Sequence, residues 1–251
     1  MNLTLIAGAR PNFMKIAPII HAIQKAQSNA CNIFYRLVHT GQHYDKKMSE
    51  TFFEELNIPQ PDINLECGGG SQAEQTAAIM IAFEKDLLTH PADWVLVVGD
   101  VTSTMACSIV AKKLHTKVAH VEAGIRSYDL TMPEEINRMV TDSITDYYFT
   151  TSVVANKTLE SLGIGSERVF FVGNVMIDTL LANMDRFYPC GDYDKLSLKQ
   201  GEYFVLTMHR PSNVDEIERL QNTMNEIISA SGGLPIIFPI HPRTAKIFSE
   251  I

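Results

Sequence analysis

The stretch "LTLIAGARPNFMKIAPII", residues 3–20, sets a short apolar run directly before an amphipathic segment. The run Leu3–Ala7 is apolar except for Thr4, as is typical of a strand buried on both faces of a parallel sheet. Pro11 suits the first turn of a helix, where its missing N–H leaves no hydrogen bond unmade. The apolar residues that follow at helical spacing predict a core-facing stripe, and they are Phe13, Ile16, Ile19, Ile20 and Ile23. The stretch therefore predicts the strand–loop–helix unit of an α/β fold.

Two cations stand at the start of this predicted helix, Arg10 and Lys15. The first turn of a helix already carries partial positive charge, so Lys15 is locally unfavourable there. We therefore expect something anionic to lie beside both side chains.

Strand and helix patterns alternate along most of the chain. The predicted strands cover residues 3–7, 34–40, 94–99, 117–123, 147–152 and 169–173. The predicted helices between them cover residues 11–27, 44–56, 71–88, 102–114 and 133–144. Near-continuous apolar strands separated by helices indicate a parallel sheet with helices on both faces. We predict a doubly wound, Rossmann-like α/β domain over residues 1–172.

Residues 173–251 are predicted to hold a helix, a linker and the beginning of a second Rossmann-like domain. The helix covers residues 175–187, and a polar stretch with Pro189 and Gly191 indicates the linker. A strand, a helix and a strand then follow at residues 203–208, 215–229 and 235–240. Two strands do not complete a doubly wound domain, which needs further strand–helix units of about 30 residues each. We expect the second domain to be truncated and the chain to be a fragment.

Composition narrows the class of protein. The chain has 251 residues, a net charge of −8, 45% hydrophobic residues and only 20% charged residues, which favours a substantial core. No basic block exceeds a lysine pair, so we expect no nucleic-acid partner. Four cysteines without C-x-x-C spacing are expected to be reduced thiols. Since neither a signal-peptide pattern nor an apolar run of about 18 residues is present, we expect a cytoplasmic protein that does not enter a membrane.

Two local motifs invite a ligand interpretation that the sequence does not favour. Residues 67–74, "CGGGSQAE", lack both a preceding strand and the G-x-G-x-x-G spacing of a phosphate loop. Ser71 and Glu74 instead form a capping box, which predicts a flexible loop before a capped helix. His39 and His43 fall in a strand-to-loop segment rather than on one helix face, so we expect no metal site.

Polar side chains stand at the carboxyl ends of nearly all predicted strands, where open α/β sheets bind ligands. They are Arg10, Gln42, His43, Asp100, Glu122, Arg126, Glu134, Glu135, Arg138, His209, Arg210, His241 and Arg243. Some also have structural explanations: acids are common in a first helical turn, and Arg138 has the i,i+4 spacing of an ion pair with Glu134. Glu122, however, has no obvious capping role. Several carboxylates and cations in one crevice suit an anionic leaving group combined with acid–base chemistry.

Six motifs resemble the non-hydrolysing UDP-N-acetylglucosamine 2-epimerases, in order from Gly8 to about Asp215. The specific pair is "HVEAGIRS" (120–127) followed by "PEEINR" (133–138). The others are "GARPNFMKIAPI" (8–19), "VVGDVTST" (97–104), "VGNVMID" (172–178) and "HRPSNVD" (209–215). The resemblance implies two Rossmann-like domains in a glycosyltransferase-B-like arrangement and a homodimer that supplies surface-polysaccharide precursors.

The resemblance also implies an activity, the interconversion of UDP-GlcNAc and UDP-ManNAc without NAD or another cofactor. It implies catalytic roles for Asp100, Glu122, Glu134 and His209. Substrate binding or charge stabilisation is implied for Arg10, Lys15 and Arg138. From the strand-end positions we add further candidate substrate-binding residues: Gln42, His43, Arg210, His241 and Arg243.

Three departures from the family pattern qualify these expectations. Asn12 stands where G-x-R-P-E is common, and Ser212 where H-R-x-E-N is common. The Gly-Gly-x-x-Glu-Glu segment that grips uridine diphosphate in the family is absent from residues 1–251, so we expect little activity from this chain. A hydrolysing epimerase that releases ManNAc and UDP, a glycosyltransferase of the same architecture and a non-catalytic nucleotide-sugar-binding fragment remain alternatives.

Overall fold

A computed structural model describes residues 1–41, 53–187 and 195–248. The chain divides into two compact units, Met1–Asp185 and Arg186–Ile251. Because the predicted helix over residues 44–56 falls largely on residues 42–52, most of that prediction lies outside the described part.

The first unit alternates strands and helices. Its strands are β1 (Asn2–Ala7), β2 (Phe34–His39), β3 (Ile63–Asn64), β4 (Trp94–Val98), β5 (Lys117–Val121), β6 (Tyr147–Thr150) and β7 (Val169–Phe171). Its α-helices are α1 (Arg10–Ser28), α2 (Gln72–Thr89), α3 (Thr102–Lys113), α4 (Pro133–Ile144), α5 (Val153–Ser161) and α6 (Val175–Asn183). The short strand β3 and helix α5 are elements that the sequence patterns did not predict.

All seven strands form one parallel sheet in the order β3-β2-β1-β4-β5-β6-β7. The strand order reverses between β1 and β4, which creates the switch point at which open α/β sheets bind ligands. Leu5 of β1 lies opposite Leu96 of β4, and Val97 of β4 lies opposite His120 of β5. The predicted α/β class is confirmed.

Both faces of the sheet are buried, as the apolar strands predicted. Val95 and Val97 of β4 pack in the cluster that contains α2 and α3 residues. The alternate residues Leu96 and Val98 pack in the opposite cluster, around Phe13 of α1. Because successive side chains of a strand point to opposite faces, each face carries its own hydrophobic layer.

Helix α6 belongs to the first compact unit, which extends to Asp185. The reason is packing: Val175 joins the hydrophobic cluster around α1. In addition, the Thr179 hydroxyl donates a hydrogen bond of 2.5 Å to the Met14 carbonyl within α1.

Two local predictions about helix starts are confirmed. Pro11 lies in the first turn of α1. The capping box of α2 is formed, since the Glu74 N–H donates to Ser71 Oγ at 3.2 Å and the Ser71 N–H donates to Glu74 Oε2 at 2.7 Å.

The second unit contains a small parallel pair of strands, β8 (Phe204–Val205) and β9 (Ile236–Ile237). Its helices are α7 (Pro211–Val214), α8 (Ile217–Ala230) and α9 (Pro242–Phe248). Met208, Val214 and Leu220 form its buried centre. The Thr244 hydroxyl donates to the Met208 carbonyl at 2.6 Å, which ties α9 to the segment after β8.

Three of the four cysteines lie in the described part of the chain, and all three are free thiols. Cys67 and Cys107 are buried and Cys31 is exposed. Burial raises the pKa of the Cys67 and Cys107 thiols. Cys190 lies outside the described residues. Among the helices that the structure describes, none has the length and apolar character needed to cross a bilayer.

Candidate active site

The candidate site lies at the carboxyl ends of β4 and β5, beside the starts of α1 and α4. Asp100 follows β4 after one glycine, and Glu122 directly follows β5. Since β4 and β5 are parallel neighbours, these two carboxylates reach the same edge of the sheet. Contacts from Lys15 on α1 and Arg138 on α4 complete the cluster.

Lys15 and Glu122 form an ion pair through the lysine Nζ and the carboxylate Oε2. Only 12% of each side chain is exposed, so solvent screens the pair less than a surface pair. This contact places a carboxylate beside the cation that the sequence left unexplained in the first turns of α1.

Gly99 lies directly beneath this ion pair, at φ +68°. A Cβ added at Gly99 would lie 2.9 Å from Lys15 Nζ and 3.3 Å from Glu122 Oε2. Two features therefore require glycine at this position. The backbone is left-handed, and the two charged groups occupy the space that a side chain would fill.

Glu122 itself has a left-handed backbone, with φ +71°. Two hydrogen bonds from the turn hold it in place: the Glu122 and Ala123 N–H groups donate to the Phe149 carbonyl of β6 at 2.9 and 3.2 Å. Such a conformation costs roughly 1–2 kcal/mol in a non-glycine residue and is typical of functional positions.

Arg138 joins two carboxylates across the start of α4. Its Nη2 donates to Asp100 Oδ2, and its Nη1 donates to Glu135 Oε2 at 2.9 Å. The Asn137 amide of the same helix donates to the Asp100 carbonyl at 2.8 Å, so α4 holds both ends of the aspartate. The ion partner that Arg138 finds on its own helix is thus Glu135, three positions earlier, rather than Glu134.

Glu135 is buried, with 1% of its side chain exposed. Its carboxylate accepts hydrogen bonds from the Ser127 N–H and hydroxyl, both at 2.9 Å, and from the Tyr128 N–H at 3.1 Å. Burial alone would raise its pKa, but these bonds and the Arg138 contact outweigh burial and lower the pKa to about 2. Glu135 therefore organises the loop before α4. Glu134, its neighbour in the first turn, is half-buried.

A buried histidine beneath the site was not identified from the sequence. His120 of β5 is fully buried; its Nδ1 lies 2.7 Å from Asp142 Oδ1 and its Nε2 lies 2.8 Å from the Gly99 carbonyl oxygen. Asp142 Oδ2 accepts from the Gly124 N–H at 3.1 Å and from Arg126 Nη1 at 2.7 Å. Burial raises the pKa of Asp142, but His120 and Arg126 outweigh it, so its pKa lies below the ordinary value. The signal in the sequence was a polar residue inside the apolar run "KVAHV".

Asn12 closes the turn between β1 and α1. Its Oδ1 accepts from the Gly8 and Ala9 N–H groups at 3.0 and 2.8 Å, and its Nδ2 donates to the Val98 carbonyl at 3.1 Å. An amide makes all three contacts because it both accepts and donates. This explains how Asn serves at a position where the motif commonly has Glu.

The other predicted site residues are placed as follows. Arg10 is the first residue of α1, while Gln42 and His43 lie outside the described residues. In the second unit, His209 and Arg210 are exposed directly before α7, His241 is exposed directly before α9, and Arg243 is the second residue of α9. The His209 and His241 rings lie 5.6 Å apart between centroids, so the second unit brings these two predicted residues together.

No group of three or more potential metal ligands occurs among the residues that the structure describes. His39 is buried against Phe13, with ring centroids 5.1 Å apart. Burial outweighs a hydrogen bond to Asn64 and lowers the His39 pKa to about 4, so the ring is neutral at neutral pH.

Known proteins resemble the whole chain. A family model described as UDP-N-acetylglucosamine 2-epimerase matches residues 25–251. The UDP-N-acetylglucosamine 2-epimerase of Methanocaldococcus jannaschii is 42% identical over 255 residues, which cover 100% of this chain and 68% of that protein. The UDP-2,3-diacetamido-2,3-dideoxy-D-glucuronate 2-epimerase of Pseudomonas aeruginosa is 37% identical over 258 residues, which cover 100% and 70%.

A solved structure of an epimerase also resembles the whole chain. The crystal structure of Methanocaldococcus jannaschii UDP-GlcNAc 2-epimerase in complex with UDP-GlcNAc and UDP superimposes with a TM-score of 0.84 and 43% identity. The match covers 100% of this chain and 68% of that one. The chain thus spans about two thirds of the length of these relatives.

Proposed function

The chain belongs to the UDP-N-acetylglucosamine 2-epimerase family, and we propose that it interconverts UDP-GlcNAc and UDP-ManNAc without hydrolysing them. One observation carries the proposal. Asp100 and Glu122, each paired with a cation, meet at the ends of two neighbouring parallel strands in a chain 42% identical to an archaeal UDP-N-acetylglucosamine 2-epimerase.

The chemistry of the substrate defines what the site must do. The hydrogen on carbon 2 has no adjacent carbonyl and is barely acidic. When the bond from carbon 1 to the diphosphate oxygen breaks, UDP leaves with the electron pair and carbon 1 becomes cation-like. A carboxylate then removes the carbon 2 proton to give 2-acetamidoglucal. Return of a proton to the opposite face, with re-formation of the bond to UDP, inverts carbon 2.

We assign the proton transfers and the stabilisation of the cation-like sugar to Asp100, Glu122 and Glu134. Lys15 and Arg138 hold two of these carboxylates in the structure. The same cations are suited to a diphosphate, whose charge they neutralise as the leaving group departs. We assign an essential role to His209 and substrate contacts to the remaining candidates: Arg10, Gln42, His43, Arg210, His241 and Arg243.

The first experiment follows hydrogen at carbon 2. The protein is incubated with UDP-GlcNAc in deuterium oxide at a protein concentration close to that of substrate, so that slow turnover is also counted. We expect UDP-ManNAc with deuterium at carbon 2, together with traces of 2-acetamidoglucal and UDP. A product that keeps its original hydrogen would overturn the proton-transfer mechanism. Free ManNAc as the main product would identify the hydrolysing reaction instead.

The second experiment tests the carboxylates. Asp100→Asn, Glu122→Gln and Glu134→Gln are each expected to lower kcat by about 10²-fold or more, within the range known for general acid–base groups. Circular dichroism checks that each variant is folded. Unchanged kcat in a folded variant would remove that residue from the mechanism.

A second substrate deserves a direct comparison because of the Pseudomonas aeruginosa relative. That protein is named as an epimerase of UDP-2,3-diacetamido-2,3-dideoxy-D-glucuronate and is 37% identical to this chain. Measuring kcat/KM for both nucleotide sugars decides between them. We expect UDP-GlcNAc to have the higher value, and the reverse ratio would reassign the substrate.

We also propose that the protein acts as a homodimer in the cytoplasm, in line with the family resemblance. Light scattering coupled to size-exclusion chromatography measures the oligomer, and cell fractionation measures the location. A monomer of 28.0 kDa at working concentrations would exclude the dimer.

A further inference from the structure

The His120 ring connects three parts of the first unit that are distant in sequence. The ring belongs to β5 and lies 2.8 Å from the carbonyl oxygen of Gly99, after β4, and 2.7 Å from Asp142 on α4. All three residues are buried. The contacts therefore cross-link the ends of two strands and one helix inside the protein.

Both partners of the ring are hydrogen-bond acceptors. A carbonyl and a carboxylate accept only, so the ring makes both bonds when each of its nitrogens carries a hydrogen. The positive charge of that form is balanced by the Asp142 carboxylate, which also accepts from Arg126 and from the Gly124 N–H. A buried charge network of this kind has fixed geometry, since each group left unpaired would be costly.

The three cross-linked segments are those that carry the assigned carboxylates. Gly99 immediately precedes Asp100, and His120 lies two residues before Glu122. Asp142 lies on α4, which carries Glu134 in its first turn and also carries Arg138. His120 thus contacts the residue before Asp100, belongs to the strand that ends before Glu122, and contacts the helix that carries Glu134.

We propose that His120 is a positioning residue, which with Asp142 fixes the relative placement of Asp100, Glu122 and Glu134 for proton transfer. The inference rests on the proposed function for its kinetic consequence. It does not make His120 a catalytic residue, because the ring is buried beneath the site and contacts Gly99 and Asp142. Displacement of a reacting group by about 1 Å costs on the order of 10²-fold in rate, so loosening this cross-link is expected to lower kcat.

The two variants change the two side chains of the contact between His120 and Asp142. His120→Gln removes the imidazole ring, and Asp142→Asn removes the charge that faces His120 and Arg126. Tyr148→Phe is the matched control. The Tyr148 side chain is also fully buried, and its hydroxyl oxygen lies 2.7 and 2.9 Å from the backbone carbonyls of Asp142 and Thr145. The contacts of this hydroxyl therefore differ from the cross-link, which joins the His120 ring to the Asp142 carboxylate.

Steady-state kinetics at a temperature at which all variants are folded give the first readout. We expect His120→Gln and Asp142→Asn to lower kcat by about tenfold or more and to leave KM within about threefold, as for groups that act on the transition state. Tyr148→Phe is expected to keep kcat within about twofold although its melting temperature falls. Equal kcat losses in all three variants, or none in the two cross-link variants, would overturn the proposal.

Amide hydrogen exchange gives a second readout that needs no activity. The Gly99 N–H donates to the Val121 carbonyl at 3.0 Å and the Glu122 N–H to the Phe149 carbonyl at 2.9 Å. We expect faster exchange of these two amides in His120→Gln and unchanged exchange in Tyr148→Phe. If the protein epimerises no UDP-sugar, the proposed function fails while this readout still decides the positioning role. Should His120→Gln fail to fold, Asp142→Asn supplies both measurements.

Discussion

Gly99 and Glu122 directly follow the neighbouring strands β4 and β5. Both have a left-handed backbone, with φ +68° and φ +71°. The glycine leaves space in which Lys15 reaches the Glu122 carboxylate. The geometry of the ion pair therefore depends on a residue that carries no functional group. This dependence is testable because alanine adds only one carbon.

Gly99→Ala is expected to displace Lys15 from Glu122, because the new Cβ would lie 2.9 Å from Lys15 Nζ. The left-handed backbone adds a stability cost of about 1–2 kcal/mol for a non-glycine residue. We expect kcat to fall by about tenfold or more through the lost placement of the carboxylate. The control is Gly163→Ala, which has φ +78° and no atom within 4 Å of the added carbon. Both variants share the cost of the left-handed backbone, and only Gly99→Ala also displaces the ion pair. Equal activity in the two would contradict the role of Gly99.

Glu135 supplies a prediction about acid stability. Its pKa falls from the ordinary value of 4.5 to about 2 in the folded protein, because hydrogen bonds from Ser127, Arg138 and Tyr128 outweigh burial. A lowered folded pKa contributes stability above the unfolded pKa, and this contribution is lost as the pH falls from 4.5 towards 2. The free energy of unfolding of Glu135→Gln should therefore depend less on pH in this range.

Denaturant unfolding at a series of pH values measures this effect as the free energy of unfolding. The matched control is Glu134→Gln, which removes a carboxylate from the same helical turn without removing any hydrogen bond of Glu135. We expect the control to keep the slope of the unmodified protein. If Glu135→Gln keeps the slope of the unmodified protein, the pKa of Glu135 is not lowered by folding.

Helix α2 shows how much a short sequence motif contributes to an element. Ser71 caps the helix by accepting from the Glu74 N–H at 3.2 Å, as the capping box predicted. Ser71→Ala should lower the free energy of unfolding by about 1 kcal/mol, the usual loss for a serine N-cap. Thermal or denaturant unfolding measures this loss, and kcat should not change because the cap contacts none of the assigned site residues. Ser161→Ala, whose hydroxyl donates to the Thr158 carbonyl within α5, is the control and should cost less.

The two units of the molecule differ in the size of their hydrophobic cores. Residues 1–185 hold the seven-stranded sheet with a hydrophobic cluster on each face, whereas the second unit holds two short strands and a small cluster around Leu220. Elements with few buried apolar contacts open more readily. We expect amides of β8, α8 and β9 to exchange before those of β1, β4 and β5 by mass spectrometry. Equal protection in both units would mean that they unfold as one cooperative body.

The sequence alone was sufficient for the α/β class and for six of the seven strands in the first unit. Their apolar runs are long, and helical periodicity separates them clearly. It did not predict β3, which has two residues, or α5, whose sequence has few periodic apolar positions. Periodicity also identified α6 as a helix without showing that its apolar side packs on α1.

For the candidate site, the sequence determined which residue types follow which strands, and thereby the candidates Asp100, Glu122, Lys15 and Arg138. Tertiary structure decided their partners. Pairing of Lys15 with Glu122 and of Arg138 with Asp100 joins residues 107 and 38 positions apart. The burial of His120 against Asp142 and the ionisation of Glu135 likewise depend on packing between β5, α4 and the loop before it. The physical reason is that chain periodicity is local, whereas contact distance, burial and charge compensation are properties of segments that meet only in the folded protein.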